Sequence, residues 1–126
     1  MNEKELKNNF MENHFNDFKG LIGIPEIRVY AIELPLRART KNYFADLVLI
    51  NESLKQFYVM EWKKDKIDYG PVDQLKLYVE LTDNQFYRSN TIGILVAPDF
   101  SDYEIKECKS NNFLVLKYNG TTMSFK

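Results

Sequence analysis

Leu6, Phe10, Met11, Phe15 and Phe18 recur at helical spacing, with Glu, Lys and Asn between them. This spacing predicts a helix over 3–18. Gly20, Gly23 and Pro25 then break it. The pattern changes to alternation, with Ile27, Val29, Ala31 and Glu33 set against Arg28, Tyr30 and Ile32. That predicts a strand over 26–34, ended by Pro35. A loop over 36–43 carries Arg37, Arg39 and Lys41 with no acid among them. Strands over 44–50 and 56–63, joined by the polar Asn51-Glu52-Ser53-Leu54-Lys55, read as an antiparallel hairpin. A polar connection over 64–70 leads to Pro71, well suited to the first position of a helix. That helix is expected to run to Thr82, with Val72, Leu75, Tyr78, Val79 and Leu81 inward. Residues 91–97 form a nearly continuous apolar run, a buried strand stopped by Pro98. Ser101 or Asp102 caps a helix over 102–110. Two terminal strands, 113–118 and 121–125, flank the turn Asn119-Gly120.

This order of elements implies an α/β fold, a mixed central sheet flanked by helices. With 126 residues and no repeat or linker, the chain is expected to be a single domain over 1–126. The 17 basic and 18 acidic residues exclude a simple polycationic nucleic-acid coat, but not a local basic surface. One cysteine, Cys108, excludes an internal disulfide and a cysteine-rich zinc site. The polar N-terminus is not a signal peptide, and no segment approaches the ~20 apolar residues of a membrane helix. A cytoplasmic protein with no membrane association is expected.

The candidate chemistry lies in the hairpin. Folding it about the middle of its loop sets Ile50 opposite Phe57, Val48 opposite Val59 and Asp46 opposite Glu61. Alternation puts Asp46, Val48 and Ile50 on one face, and Phe57, Val59, Glu61 and Lys63 on one face. Like charges across a sheet destabilise it. A hard divalent cation, Mg²⁺ or Mn²⁺, offsets this well through oxygen ligands. Two carboxylates and a lysine suit phosphodiester hydrolysis, in which a cation polarises the phosphoryl oxygen and acidifies water. The alternative is a solvated acidic pair at the sheet rim, or one paired with Lys63. Gln74 and Tyr78, one helical turn apart, project from one face of the next helix.

Ala45-Asp46-Leu47, Glu61-Trp62-Lys63 and the run Gln74-Leu75-Lys76-Leu77-Tyr78-Val79-Glu80 together resemble the PD-(D/E)XK nuclease superfamily. Within it the chain is similar to the RecB-like group, and to the catalytic domain of the archaeal mismatch endonuclease NucS and its relatives. The resemblance covers 3–83 and continues more loosely to the strand near residue 95. It implies a restriction-endonuclease-like fold and a Mg²⁺- or Mn²⁺-dependent deoxyribonuclease, endonuclease in preference to exonuclease. By motif, Asp46 and Glu61 bind the metal, Lys63 serves the attacking water, and Gln74 and Tyr78 support the site. The family often adds a glutamate from the first helix, here Glu3 or Glu5. Two departures stand out. Ala45 replaces the usual proline or glycine, and the DNA-binding domain that precedes the catalytic domain in NucS has no counterpart, so substrate choice does not carry over.

Arg37, Arg39 and Lys41 read either as phosphate contacts or as a solvated basic loop. Lys64 and Lys66 extend a positive rim diluted by Asp65 and Asp68. His14 and Cys108 are expected to have no catalytic role, and Trp62 to face the core opposite Glu61. Two function classes follow: a metal-dependent nuclease acting on DNA, or a catalytically inactive nucleic-acid-binding or scaffold subunit of the same fold. Cleavage of RNA would share the same chemistry. A homodimer, or a partner protein supplying specificity, fits a bare catalytic domain.

Overall fold

The computed structural model of the chain describes residues 2–63, 70–87 and 90–126. Helix α1 (Glu3–Asn9) starts at Asn2, whose side chain accepts the Glu5 N–H. It passes through one π-helical turn, Phe10–His14, into α2 (Phe15–Ile22). The strands are β1 (Ile27–Arg37), β2 (Asn42–Asn51), β3 (Gln56–Trp62), β4 (Ile92–Ala97), β5 (Leu114–Tyr118) and β6 (Met123–Phe125). Helix α3 (Pro71–Phe86) lies between β3 and β4, and α4 (Asp102–Ser110) between β4 and β5. Among the described residues the strands form one sheet in the order β1-β2-β3-β4-β5-β6. β3, β4 and β5 run parallel, and the outer pairings are antiparallel. The expected mixed sheet flanked by helices is therefore the observed one.

The sheet separates two cores. One face packs α3 and α4 through Val48, Val59, Leu75, Tyr78, Leu95 and Cys108. The other packs α1 and α2 through Phe10, Phe18, Leu49, Met60, Trp62 and Tyr118. Gly93 in β4 lets α3 approach closely. A Cβ there would stand 2.9 Å from both Leu75 Cγ and Phe113 Cδ1.

Four expectations are corrected. The first helix is not a uniform helix over 3–18. It widens at Phe10–His14 and continues past Gly20, ending where Gly23 adopts φ 75 and its N–H returns to Lys19. The widened turn buries Phe10 against Phe18, Trp62 and Tyr118, while Asn9 and His14 both reach the Tyr118 hydroxyl. Pro35 does not end β1. Among the described residues this strand is a sheet edge paired with β2 alone, so a missing N–H there is tolerated. Helix α3 runs beyond Thr82 to Phe86, whose ring packs on Phe57 at 4.8 Å. Finally, the terminal strands are shorter than the apolar pattern suggests. The connection expected over 64–70, with Lys64 and Lys66, lies outside the described residues except for Gly70.

Candidate active site

The hairpin register is the expected one, with Val48 opposite Val59 and Ile50 opposite Phe57. The paired ladder reaches Leu47 opposite Met60. Beyond that point side chains take over the bonding. The Asp46 N–H donates to Glu61 Oε1 at 3.0 Å, and the Trp62 N–H donates to Asp46 Oδ2 at 3.2 Å. Two carboxylates thus close the open end of the hairpin. Glu61 is buried and Asp46 half-buried.

Simple alternation fails at Asp46. Ala45 and Val48 both pack in the α3-side core, although they are three residues apart. The break lies between them. On β1, Ala31 and Leu34 show the same spacing into the same core, and Glu33 between them adopts φ 55. The pairing of Ile32 with Leu47 and of Leu34 with Ala45 sets Glu33 across from Asp46. A non-glycine residue at positive φ, opposite a break in alternation, is a local distortion of the kind that re-aims side chains beside active sites. Here it turns Asp46 toward an open cleft of about 650 Å³ shared with Asn2, Glu3, Lys4, Lys7 and Glu33.

Burial pushes the Glu61 carboxyl well above the usual carboxylate range, and the like charges of Asp46 and Glu3 add to the rise. The two first-helix glutamates are placed differently. Glu3 acts on Glu61 and lines the cleft, whereas Glu5 bonds Asn2 at the helix start. Lys7 pairs with Glu33 at 2.9 Å across the cleft. Sequence reading gave Lys7 and Glu33 no place at the site.

Gln74, in the first turn of α3, donates from Nε2 to the Tyr78 hydroxyl at 2.8 Å. Tyr78 is buried. Burial raises its pKa, the Gln74 bond opposes this, and the charges of Glu61 and Asp46 raise it further. The tyrosine therefore stands within electrostatic reach of the acid pair. Tyr43 stacks obliquely on it at 5.8 Å, and Lys41 lies over the Tyr43 ring at 5.0 Å. Of the three loop cations, Lys41 is the one joined to this aromatic wall. The Arg37 backbone N–H meets Gln85, and Arg39 is exposed.

Lys63 departs from the simple picture. Its ammonium is engaged by Glu104 of α4, at 2.7 Å from Oε1 and 2.5 Å from Oε2, rather than resting beside the acids. The same ammonium lies over the Phe100 ring, 5.4 Å from its centroid. Glu104 was missed in the sequence, although Ser101-x-x-Glu104 carries the pattern of a capping box. That box is formed. Trp62 faces the α1/α2 core, opposite to Glu61, as expected. His14 ties the π turn to Tyr118, and Cys108 is the buried residue of α4.

Asp46 and Glu61 offer hard oxygen donors whose mutual repulsion a cation relieves, so this donor set fits Mg²⁺ or Mn²⁺. Among the described residues no group of three or more His, Cys, Asp or Glu side chains is arranged to hold a metal. A carboxylate pair of this kind suits a cation that keeps several other oxygen ligands.

The model of one protein family, the YhcG PDDEXK nuclease domain, matches residues 1–121. The chain belongs to this family. The PDDEXK domain also shares its fold with two solved structures. One is a repair endonuclease from Pyrococcus abyssi, at 24% identity and TM-score 0.60, over 80% of this chain and 43% of that one. The other is EndoMS in a complex with dsDNA, at 21% identity and TM-score 0.62, over 86% of this chain and 42% of that one. The PDDEXK domain thus spans under half the length of each neighbour. No curated protein matches its sequence. Among the described residues, no helix is long and apolar enough to cross a membrane.

Proposed function

We propose that this YhcG-type PDDEXK domain is a metal-dependent nuclease that hydrolyses DNA phosphodiester bonds. The observation that carries this reading is the facing pair Asp46 and Glu61, each fixed by a backbone N–H from the opposite strand. These two residues would hold Mg²⁺ or Mn²⁺. When bound, the cation supplies Lewis-acid polarisation of a phosphoryl oxygen and a more acidic water. The protein's own part is positional. The two N–H bonds orient the carboxylates, so little reorganisation is needed at the moment of reaction. Lys63, whose ammonium rests on Glu104, would orient the water or stabilise charge on phosphorus once DNA is bound. Gln74 and Tyr78 brace the wall beside the pair, and Lys41 on Tyr43 supplies a phosphate contact at its outer edge.

The choice of DNA rests on the family and on the fold shared with a protein solved on dsDNA. A double-strand cut would call on a second copy or a partner protein. The test is incubation with circular single-stranded DNA, supercoiled plasmid, end-labelled linear duplex and RNA in Mg²⁺ or Mn²⁺. Cutting of either circular DNA supports an endonuclease, and cutting of linear ends alone an exonuclease. Preference for RNA would overturn the substrate, and failure to cut any of them would favour a binding or scaffold subunit.

A further inference from the structure

Lys63 stands two residues past Glu61, about 7 Å along an extended strand. Its four-carbon stem therefore reaches either the acid pair or α4. Two carboxylates facing each other across the hairpin end would attract a neighbouring ammonium. The ammonium nevertheless lies on Glu104. Resting on the cation-site reading above, we propose that Glu104 is a positioning residue that keeps the Lys63 ammonium off Asp46 and Glu61, so that the pair stays open to a divalent cation.

Three features hold the lysine there. Both carboxylate oxygens of Glu104 lie within 2.7 Å of Nζ, and the two side chains are only 16% and 20% exposed. An ion pair so shielded is screened less than one on the open surface. Glu104 is itself fixed, because Oε1 also accepts the Ser101 N–H at 2.9 Å while the Ser101 hydroxyl accepts the Glu104 N–H at 3.2 Å. It cannot follow the lysine without giving up the helix cap. The Phe100 ring under the ammonium adds a further attraction on the α4 side. An ammonium and a divalent cation compete for the same carboxylate oxygens, so a lysine released from Glu104 would act as an internal competitor of the metal.

The experiment is Mn²⁺ binding to the full chain, followed by the loss of the free-ion electron paramagnetic resonance signal. The proteins are the wild type, E104Q, K63Q and the K63Q/E104Q double variant. Glutamine also serves as the third residue of a capping box, so α4 is retained, and circular dichroism melts verify this. E104Q is expected to weaken Mn²⁺ about five- to tenfold, the scale of one modest ionic contact. The double variant is expected to bind within about twofold of K63Q, because the competitor is gone. Unchanged affinity in E104Q would overturn the proposal. So would equal weakening in E104Q and the double variant, which would mean that Glu104 acts on the fold and not through Lys63. Absence of Mn²⁺ binding by the wild type would be a different failure, removing the cation-site reading itself and this inference with it.

Discussion

Asp46 and Glu61 face each other across the end of a hairpin, yet each also repairs that end. Glu61 accepts the N–H of Asp46, and Asp46 accepts the N–H of Trp62. The pair is thus repulsive in charge and supportive in hydrogen bonding. Removing charge and removing the acceptor are different operations here. Asp46→Asn and Glu61→Gln keep an oxygen for the backbone donor and lose the repulsion. These variants are expected to be at least as stable as the wild type without metal. Asp46→Ala and Glu61→Ala strand a shielded N–H and are expected to cost about 1–3 kcal/mol. Urea melts in the presence of a chelator check both. Equal stability of the Ala and amide variants would show that the bonds carry no weight.

Tyr78 links the core to the site through its hydroxyl. Tyr78→Phe keeps the ring among Leu75, Val48 and Val59 but loses the bond from Gln74. The expected loss of stability is about 0.5–1.5 kcal/mol. Cleavage is expected to fall as well, because Gln74 loses its anchor. Gln74→Ala should reproduce the activity loss with less effect on stability, which single-turnover rates and melts on the same samples would establish.

Gly93 tests the packing of α3 on the sheet. A methyl group there meets Leu75 and Phe113 side-chain atoms at 2.9 Å, both inside the core. Gly93→Ala is expected to lose about 1–3 kcal/mol through overpacking. A denaturation midpoint unchanged from wild type would mean that α3 sits farther from β4 than described.

Cys108 gives a pH-dependent prediction. Burial, with smaller contributions from Glu107 and Glu104, raises its thiol from 9.0 to about 11. Between those values the unfolded chain loses the thiol proton and the folded protein keeps it. This residue's contribution to stability therefore falls as pH rises through that window. The folded protein is expected to resist iodoacetamide at pH 9, whereas the urea-unfolded chain reacts readily. Fast alkylation of the folded form would contradict the burial.

Much of this was legible in the sequence because it depends on short-range pattern. The register that sets Asp46 opposite Glu61 follows from the loop length and from Val48, Ile50, Phe57 and Val59. The first turn of α3 follows from Pro71, and the inward face from Val72, Leu75 and Tyr78. What escaped depends on partners distant in sequence. Alternation assumes a regular strand, and the paired distortion at Glu33 and Asp46 breaks it without a glycine to mark the place. The end of β1 was misplaced because Pro35 is harmless on an edge strand. The site of Lys63 was read from its own strand, whereas its partner Glu104 is 41 residues away. Glu3 and Glu5 differ in tertiary placement, Glu3 lining the cleft and Glu5 bonding Asn2. No periodicity distinguishes two glutamates in one helical turn.

The proposed role of the Asp46/Glu61 pair is that of the metal site of a DNA hydrolase. The most direct measurement is the conversion of supercoiled plasmid to nicked or linear DNA across a Mg²⁺ titration, by wild type and Glu61→Gln, with melts showing both proteins folded. Mg²⁺-dependent cutting by the wild type and its loss in the variant are expected. Cutting by a folded Glu61→Gln protein at the wild-type rate would contradict this role.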